Sequence, residues 1–165
     1  MPKPGGVWAD LGAGSGAFTL ALAELLGPQA VIYAIDRDRP ALAELERRLD
    51  GRFSGTRLIS MRADFTQPLD VPSLDGVVMA NSLHFHKEKA PIVQSVRNML
   101  APGGRLILVE YNVDRGNTWV PHPISYPVWE RLAARCGFVD TRQIGAKPSR
   151  FLKEIYSAVS SNGSV

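Results

Sequence analysis

The chain has 165 residues, 45% of them apolar and 21% charged, with 19 basic against 16 acidic side chains and a net charge of +3. That length suits one compact domain with a full core, no apolar run is long enough to span a membrane, and one cysteine, Cys136, excludes an intrachain disulfide. The basic residues are scattered rather than blocked, which argues against a nucleic-acid partner; with no signal-peptide pattern at Met1-Pro2-Lys3-Pro4, the expected location is the cytoplasm.

A first strand is predicted near 6–11, running into Asp10-Leu11-Gly12-Ala13-Gly14-Ser15-Gly16, and helical periodicity follows over 16–27. Glycines at Gly12, Gly14 and Gly16 let the backbone take positive φ and let a ligand approach the main chain, while the helix end supplies free N–H donors. In a dinucleotide fold the position of Asp10 is usually apolar, because a carboxylate there repels a pyrophosphate. Asp10 therefore argues for a cationic ligand. A molecule with an ammonium group, a ribose and an adenine would suit, because two more acids end the next strands. Strand 30–36 ends in Asp36-Arg37, where a ribose diol would be read, and a helix is predicted over 39–50. Strand 56–61 leads to Asp64-Phe65, whose carboxylate would accept from an exocyclic amine. The remaining strands are predicted near 74–80, 104–111, 138–145 and 151–159, and the remaining helices near 87–99 and 127–136. Only a short turn through Lys147-Pro148-Ser149 joins the last two strands, too short for a crossover helix, so they should form an antiparallel hairpin. Residues 161–165 read as a flexible tail.

These ordered pieces resemble the class I S-adenosylmethionine-dependent methyltransferases: the Asp10 to Gly16 loop, Asp36, Asp64-Phe65, the strand Leu74 to Asn81, and Leu100-Ala101-Pro102-Gly103-Gly104 turning into strand five. The resemblance implies an α/β doubly wound, Rossmann-like sheet of seven strands in the order 3-2-1-4-5-7-6, strand seven antiparallel, in one domain over residues 1–160. It implies S-adenosylmethionine as cofactor, S-adenosylhomocysteine as product, and a small-molecule acceptor methylated at carbon, oxygen or nitrogen. The cofactor-binding residues it implies are Asp10, Gly12, Gly14, Gly16, Asp36, Arg37, Asp64, Phe65 and Asn81. Members usually carry one or two cover helices before the first strand. Here Met1–Gly5 precede it, so the expectation is either a truncated chain or a minimal core whose bare apolar face promotes self-association.

A sulfonium methyl is already activated, so a protein base is needed only to prepare some acceptors. His84 and His86 are the candidate catalytic bases; the competing reading is that both cap the following helix or face solvent. Ser82, Glu110, Tyr111 and Asn112 lie beside them at the strand ends, with loop 112–126 as a candidate lid. Trp119, His122, Tyr126 and Trp129 are candidates for shaping an acceptor pocket, with core packing as the alternative for the last two. Asp36 has the competing role of helix cap, Asp64 of turn residue, and Phe65 of core filler. Asn81-Ser82-Leu83-His84 lacks the Asn-Pro-Pro-Tyr of amino-methyltransferases, and neither the thiols of arsenite enzymes nor a clustered set of metal-binding acids is present, so no metal is expected. Two rival functions remain. One is a non-catalytic cofactor-binding module that serves a partner subunit; the other is an NAD-dependent oxidoreductase, since Gly12-Ala13-Gly14-Ser15-Gly16-Ala17 loosely fits the dinucleotide pattern.

Overall fold

In a computed structural model that describes residues 4–163, apolar strands and amphipathic helices alternate into one sheet. Its strands are β1 (Val7–Leu11), β2 (Val31–Asp36), β3 (Arg57–Arg62), β4 (Leu74–Ala80), β5 (Leu100–Tyr111), β6 (Phe138–Pro148) and β7 (Glu154–Asn162). They lie in the order β3-β2-β1-β4-β5-β7-β6. The first five pair in parallel, while β7 runs antiparallel to both β5 and β6. The expected topology is therefore present, and all four parallel crossovers deliver their carboxyl ends to one edge, where such sheets hold ligands.

The helices are α1 (Ala17–Leu26), α2 (Arg39–Leu49), α3 (Ala90–Met99) and α4 (Tyr126–Arg135). α2 starts where Asp38 accepts from the Ala41 N–H and a proline occupies the first turn. Alternation along β5 divides the core. Leu106 and Leu108 pack with Trp129 and Leu132 beneath α3 and α4, while β1 and β2 send Trp8, Ile32 and Ala34 to Leu22, Leu42 and Leu45 of α1 and α2. On that second face of β5, Ile107 and Val109 stay half-buried. Among the described residues no helix is long and apolar enough to cross a membrane.

Several boundaries differ from the sequence expectation. β5 begins at Leu100 rather than 104, because Leu100 pairs with Leu74 across a register shift, and Gly103 takes φ +75° within it. β6 runs on to Pro148, and β7 begins at Glu154 rather than 151, after a turn in which the Ser149 N–H donates to the Lys153 carbonyl. The expected tail at 161–165 is corrected for its first two residues. Ser161 pairs with Arg105 and Val139, Asn162 pairs with Phe138, and the Asn162 side chain donates to the Leu100 carbonyl at 2.9 Å. Residues 164–165 lie outside the described residues.

Candidate active site

The loop after β1 is tied down by its own backbone. The Gly12 and Ala13 N–H groups both donate to the Ile35 carbonyl, at 2.8 and 3.1 Å. Gly12 has φ +81°, and a Cβ there would lie 2.5 Å from the Ser82 Cβ. No side chain fits at Gly12, and the main chain itself meets the cavity. Gly16 has φ +92° at the start of α1, with its missing Cβ replaced by the Leu45 side chain. The Gly14 N–H donates to Asp36 Oδ2 at 2.8 Å, which fixes the acid at the end of β2 against the glycine loop.

Asp10 lies beneath this loop, 1% exposed, with Oδ2 accepting from the Thr19 hydroxyl at 2.7 Å. Burial pushes its carboxyl up to about 6, with the charge of Asp36 acting in the same direction and the Thr19 hydrogen bond opposing. Asp10, Gly14 and Gly16 support the cavity from behind and do not line it.

The cavity at the carboxyl edge encloses about 200 Å³ and is walled by Gly12, Asp36, Arg37 and Asp64 with Phe65, Asn81, Phe85 and His86 among its further lining. That volume is below the ~300–1,000 Å³ of most ligand pockets, so a nucleoside would fill it and a longer ligand would extend past its mouth. Asp36 is not the cap of α2, since Asp38 has that role. Besides Gly14, it accepts from the Asp38 N–H through Oδ1 at 2.9 Å. Asp64 does serve a turn: its Oδ1 accepts from the Thr66 N–H and hydroxyl, and those two bonds hold its carboxyl below the usual range. Its Oδ2 faces Arg37 at 3.6 Å. Phe65 packs on the core and also lines the cavity. Asn81, at φ +54°, keeps its side-chain oxygen buried without a hydrogen-bond partner among the described residues. An orphaned acceptor in a cavity wall awaits a donor from a ligand.

The two candidate histidines part company. His84 sits in a 3-10 turn, Leu83–Phe85, and is 3% exposed. Its Nδ1 lies 2.9 Å and 3.1 Å from the two carboxylate oxygens of Glu110, which also accepts the His84 N–H at 3.0 Å. His86 instead lines the cavity, edge-on to Phe65 with ring centroids 5.2 Å apart. Burial pushes its imidazole below the usual range, against the pull of Asp64. The His84 ring is buried, while the His86 ring is half-buried in the cavity wall.

The pairing of Glu110 with His84 was not read from the sequence, although a signal exists. Glu110 continues the inward row of Leu106 and Leu108, and an acid on the core face requires a buried partner. Thr19 was also missed; it stands in the first turn of α1, directly over the end of β1. Loop 112–126 is pinned rather than free. Asp114 accepts from the Ser125 N–H and hydroxyl, Asn112 accepts from the Tyr126 N–H, and the His122 N–H donates to the His84 carbonyl. Trp129 is core, Tyr126 donates to Glu130, and Trp119 stands 76% exposed.

Residues 9–106, more than half of the chain, match a family model described as a methyltransferase domain. A reducing polyketide synthase of a Penicillium species, grgA, is 26% identical over 164 residues, covering 86% of this chain and 7% of that protein. A probable cobalt-precorrin-6B C(15)-methyltransferase (decarboxylating) of Methanothermobacter thermautotrophicus is 32% identical over 108 residues, 65% of this chain and 53% of that one. Among solved structures, the CurJ carbon methyltransferase superposes with a TM-score of 0.79 at 18% identity, over 99% of this chain and 50% of that one. The chain thus spans about half or less of the length of these relatives.

Proposed function

The chain belongs to the methyltransferase-domain family, and from that premise we propose that it transfers a methyl group from S-adenosylmethionine to a small-molecule acceptor, releasing S-adenosylhomocysteine. The observation that carries this reading is the convergence of Gly12, Asp36, Asp64 and the unpartnered Asn81 oxygen on one cavity at the carboxyl edge of the sheet. Asp10 and the antiparallel β7 weigh against the NAD-dependent oxidoreductase alternative.

The residues present fit the cofactor. Asp36, held by two backbone N–H donors, keeps lone pairs for a ribose diol. Arg37, Ala63, Asp64 and Phe65 form the slot for an adenine, and Asn81 supplies an acceptor for an ammonium. Gly12, Gly14 and Gly16 allow the close approach, and Asp10 adds negative charge from beneath. When bound, the cofactor supplies an electrophilic methyl group that needs no further activation.

His84 is the group we assign to preparing the acceptor. Its Nδ1 is committed to Glu110, which fixes the ring and leaves Nε2 as the nitrogen that takes a proton. The Glu110 carboxylate then stabilises the imidazolium. An acceptor with an acidic O–H or C–H suits such a base. His86 and Phe85 line the same cavity as the cofactor slot, and we assign them to shaping the acceptor's approach. A non-catalytic module working with a partner subunit is the competing reading, and the buried His84–Glu110 pair weighs against it, because such a pair is costly to bury for packing alone. The single thiol, Cys136, suits a reducing cytoplasm, and the half-buried face of β5 suits association of two copies.

Calorimetric titration with S-adenosylmethionine, S-adenosylhomocysteine and reduced nicotinamide cofactor tests the reading. Saturable binding of the two sulfur compounds alone supports it. A folded sample that binds neither overturns it.

A further inference from the structure

Of the cavities outside the cofactor site, one lies between the Lys87–Ala90 segment and α4 and has a volume of about 310 Å³. Its floor is apolar, made by Pro123, Ile124, Val128 and Leu132, while its rim carries Lys87, Lys89 and Arg135 against the single acid Glu88. Val128, Leu132 and Arg135 recur at helical spacing, so one face of α4 supplies both floor and charge. Among the described residues none of the three cations forms an ion pair with a carboxylate. Lys89 is nevertheless fixed in place, because its ammonium donates to the His86 carbonyl at 2.6 Å. The same turn is held from the other side by the His122 N–H on the His84 carbonyl, next to Pro123. One continuous segment therefore serves both cavities, Phe85 and His86 lining the cofactor cavity and Lys87 to Ala90 lining this cleft.

We propose that this cleft holds the anionic end of the acceptor, a carboxylate or phosphate against the three cations and a short alkyl or acyl stem along the apolar floor. A cluster of ammonium and guanidinium groups without carboxylate partners around an apolar floor matches an amphipathic anion in both parts. The inference deepens the methyl-transfer reading and rests on it for the ligand's role as acceptor, though not for the binding itself.

Titration of the isotope-labelled chain with octanoate, octyl phosphate and 1-octanol, followed by amide NMR, tests this. At least one anion should shift the Lys87, Ala90, Val128 and Leu132 amides and saturate, with 1-octanol about tenfold weaker, and the tighter of the two anions identifies the headgroup. Combining Lys87→Glu with Arg135→Glu should weaken the anions by about tenfold and leave 1-octanol unchanged. Added salt on the unmodified chain should act the same way, which covers a variant that fails to fold. Equal binding of 1-octanol, no response to charge reversal or salt, or shifts confined to other regions would overturn the proposal. A parallel S-adenosylhomocysteine titration keeps the two readings apart. Its failure with the anions still bound sinks the methyl-transfer reading and with it the ligand's role as acceptor, leaving the anion site in place, and the reverse pattern sinks the cleft alone.

Discussion

His84 and Glu110 meet across the ends of β4 and β5, Nδ1 to carboxylate oxygen at 2.9 Å, with the histidine side chain 4% exposed and the glutamate fully buried. The carboxylate also accepts the His84 and Tyr111 N–H groups, so it orients the ring and the backbone on both sides of it. Replacing His84 by Gln should lower methyl transfer by about 10²-fold or more, the contribution of a positioned base, while S-adenosylhomocysteine affinity stays unchanged. The assay is release of S-adenosylhomocysteine across a panel of acceptors, beside a binding titration. Equal losses in both would place His84 in cofactor binding instead.

Glu110→Ala leaves a buried imidazole and two N–H groups without their acceptor. We expect a loss of about 1–3 kcal/mol of stability, read from the urea midpoint, together with the same fall in turnover. Glu110→Gln keeps one acceptor oxygen for only one of the two N–H groups and should recover part of the stability without recovering the rate. Rate recovery in Glu110→Gln would mean that only the ring's orientation matters.

Asp36→Asn retains one oxygen for only one of the two backbone donors, turns an NH2 toward the other and removes the charge. S-adenosylhomocysteine should bind about tenfold more weakly, with a modest fall in melting temperature, as expected for losing a charged hydrogen bond of ~1.5 kcal/mol. Unaltered affinity in a folded variant would take Asp36 out of the site.

Asp10 makes the free chain's stability fall with rising pH over a defined window. Its carboxyl is raised from 3.8 to about 6 in the fold, so between those values the native state binds the proton more tightly than the unfolded chain does. That contribution to stability is full below pH 3.8, declines as pH rises through about 6, and is absent above it. At ~1.4 kcal/mol per pH unit it amounts to roughly 3 kcal/mol at most. Asp10→Asn should flatten this slope, measured as the urea midpoint from acid to neutral pH. An unchanged slope would show that Asp10 does not titrate there.

Gly12→Ala and Gly16→Ala should fail differently, although both positions have positive φ. At Gly16 the methyl meets the side chain of Leu45, a core contact, so stability should drop by about 1–3 kcal/mol. At Gly12 it meets the Cβ of Ser82 in the cavity wall, an atom that cannot swing aside, so stability and binding should both suffer. Calorimetry on both variants separates the two effects.

The topology was legible because the strands carry their own punctuation: Gly12 to Gly16 after β1, Asp36 at the end of β2, Asp64 after β3, and a connection after β6 too short for a helix. Short-range chemistry set those features. The arrangement behind the cavity was less legible. Nothing local reveals that Asp10 is paired with Thr19, that Gly16 makes room for a side chain of α2, or that His84 and His86, two positions apart, face different surroundings. A 3-10 turn reorients successive side chains in a way that neither strand nor α-helix periodicity anticipates. The pinning of loop 112–126 likewise depends on Asp114 reaching Ser125 across the loop.

Ser82 donates its hydroxyl to the Leu11 carbonyl at 2.8 Å while its Cβ occupies the space above Gly12. One small residue thus fastens the segment after β4 to the segment after β1. The two halves of the pocket are not interchangeable parts. Anyone grafting a relative's post-β4 loop onto this scaffold to redirect its choice of acceptor would have to carry Ser82 across with Gly12, or the graft would alter cofactor binding along with selectivity.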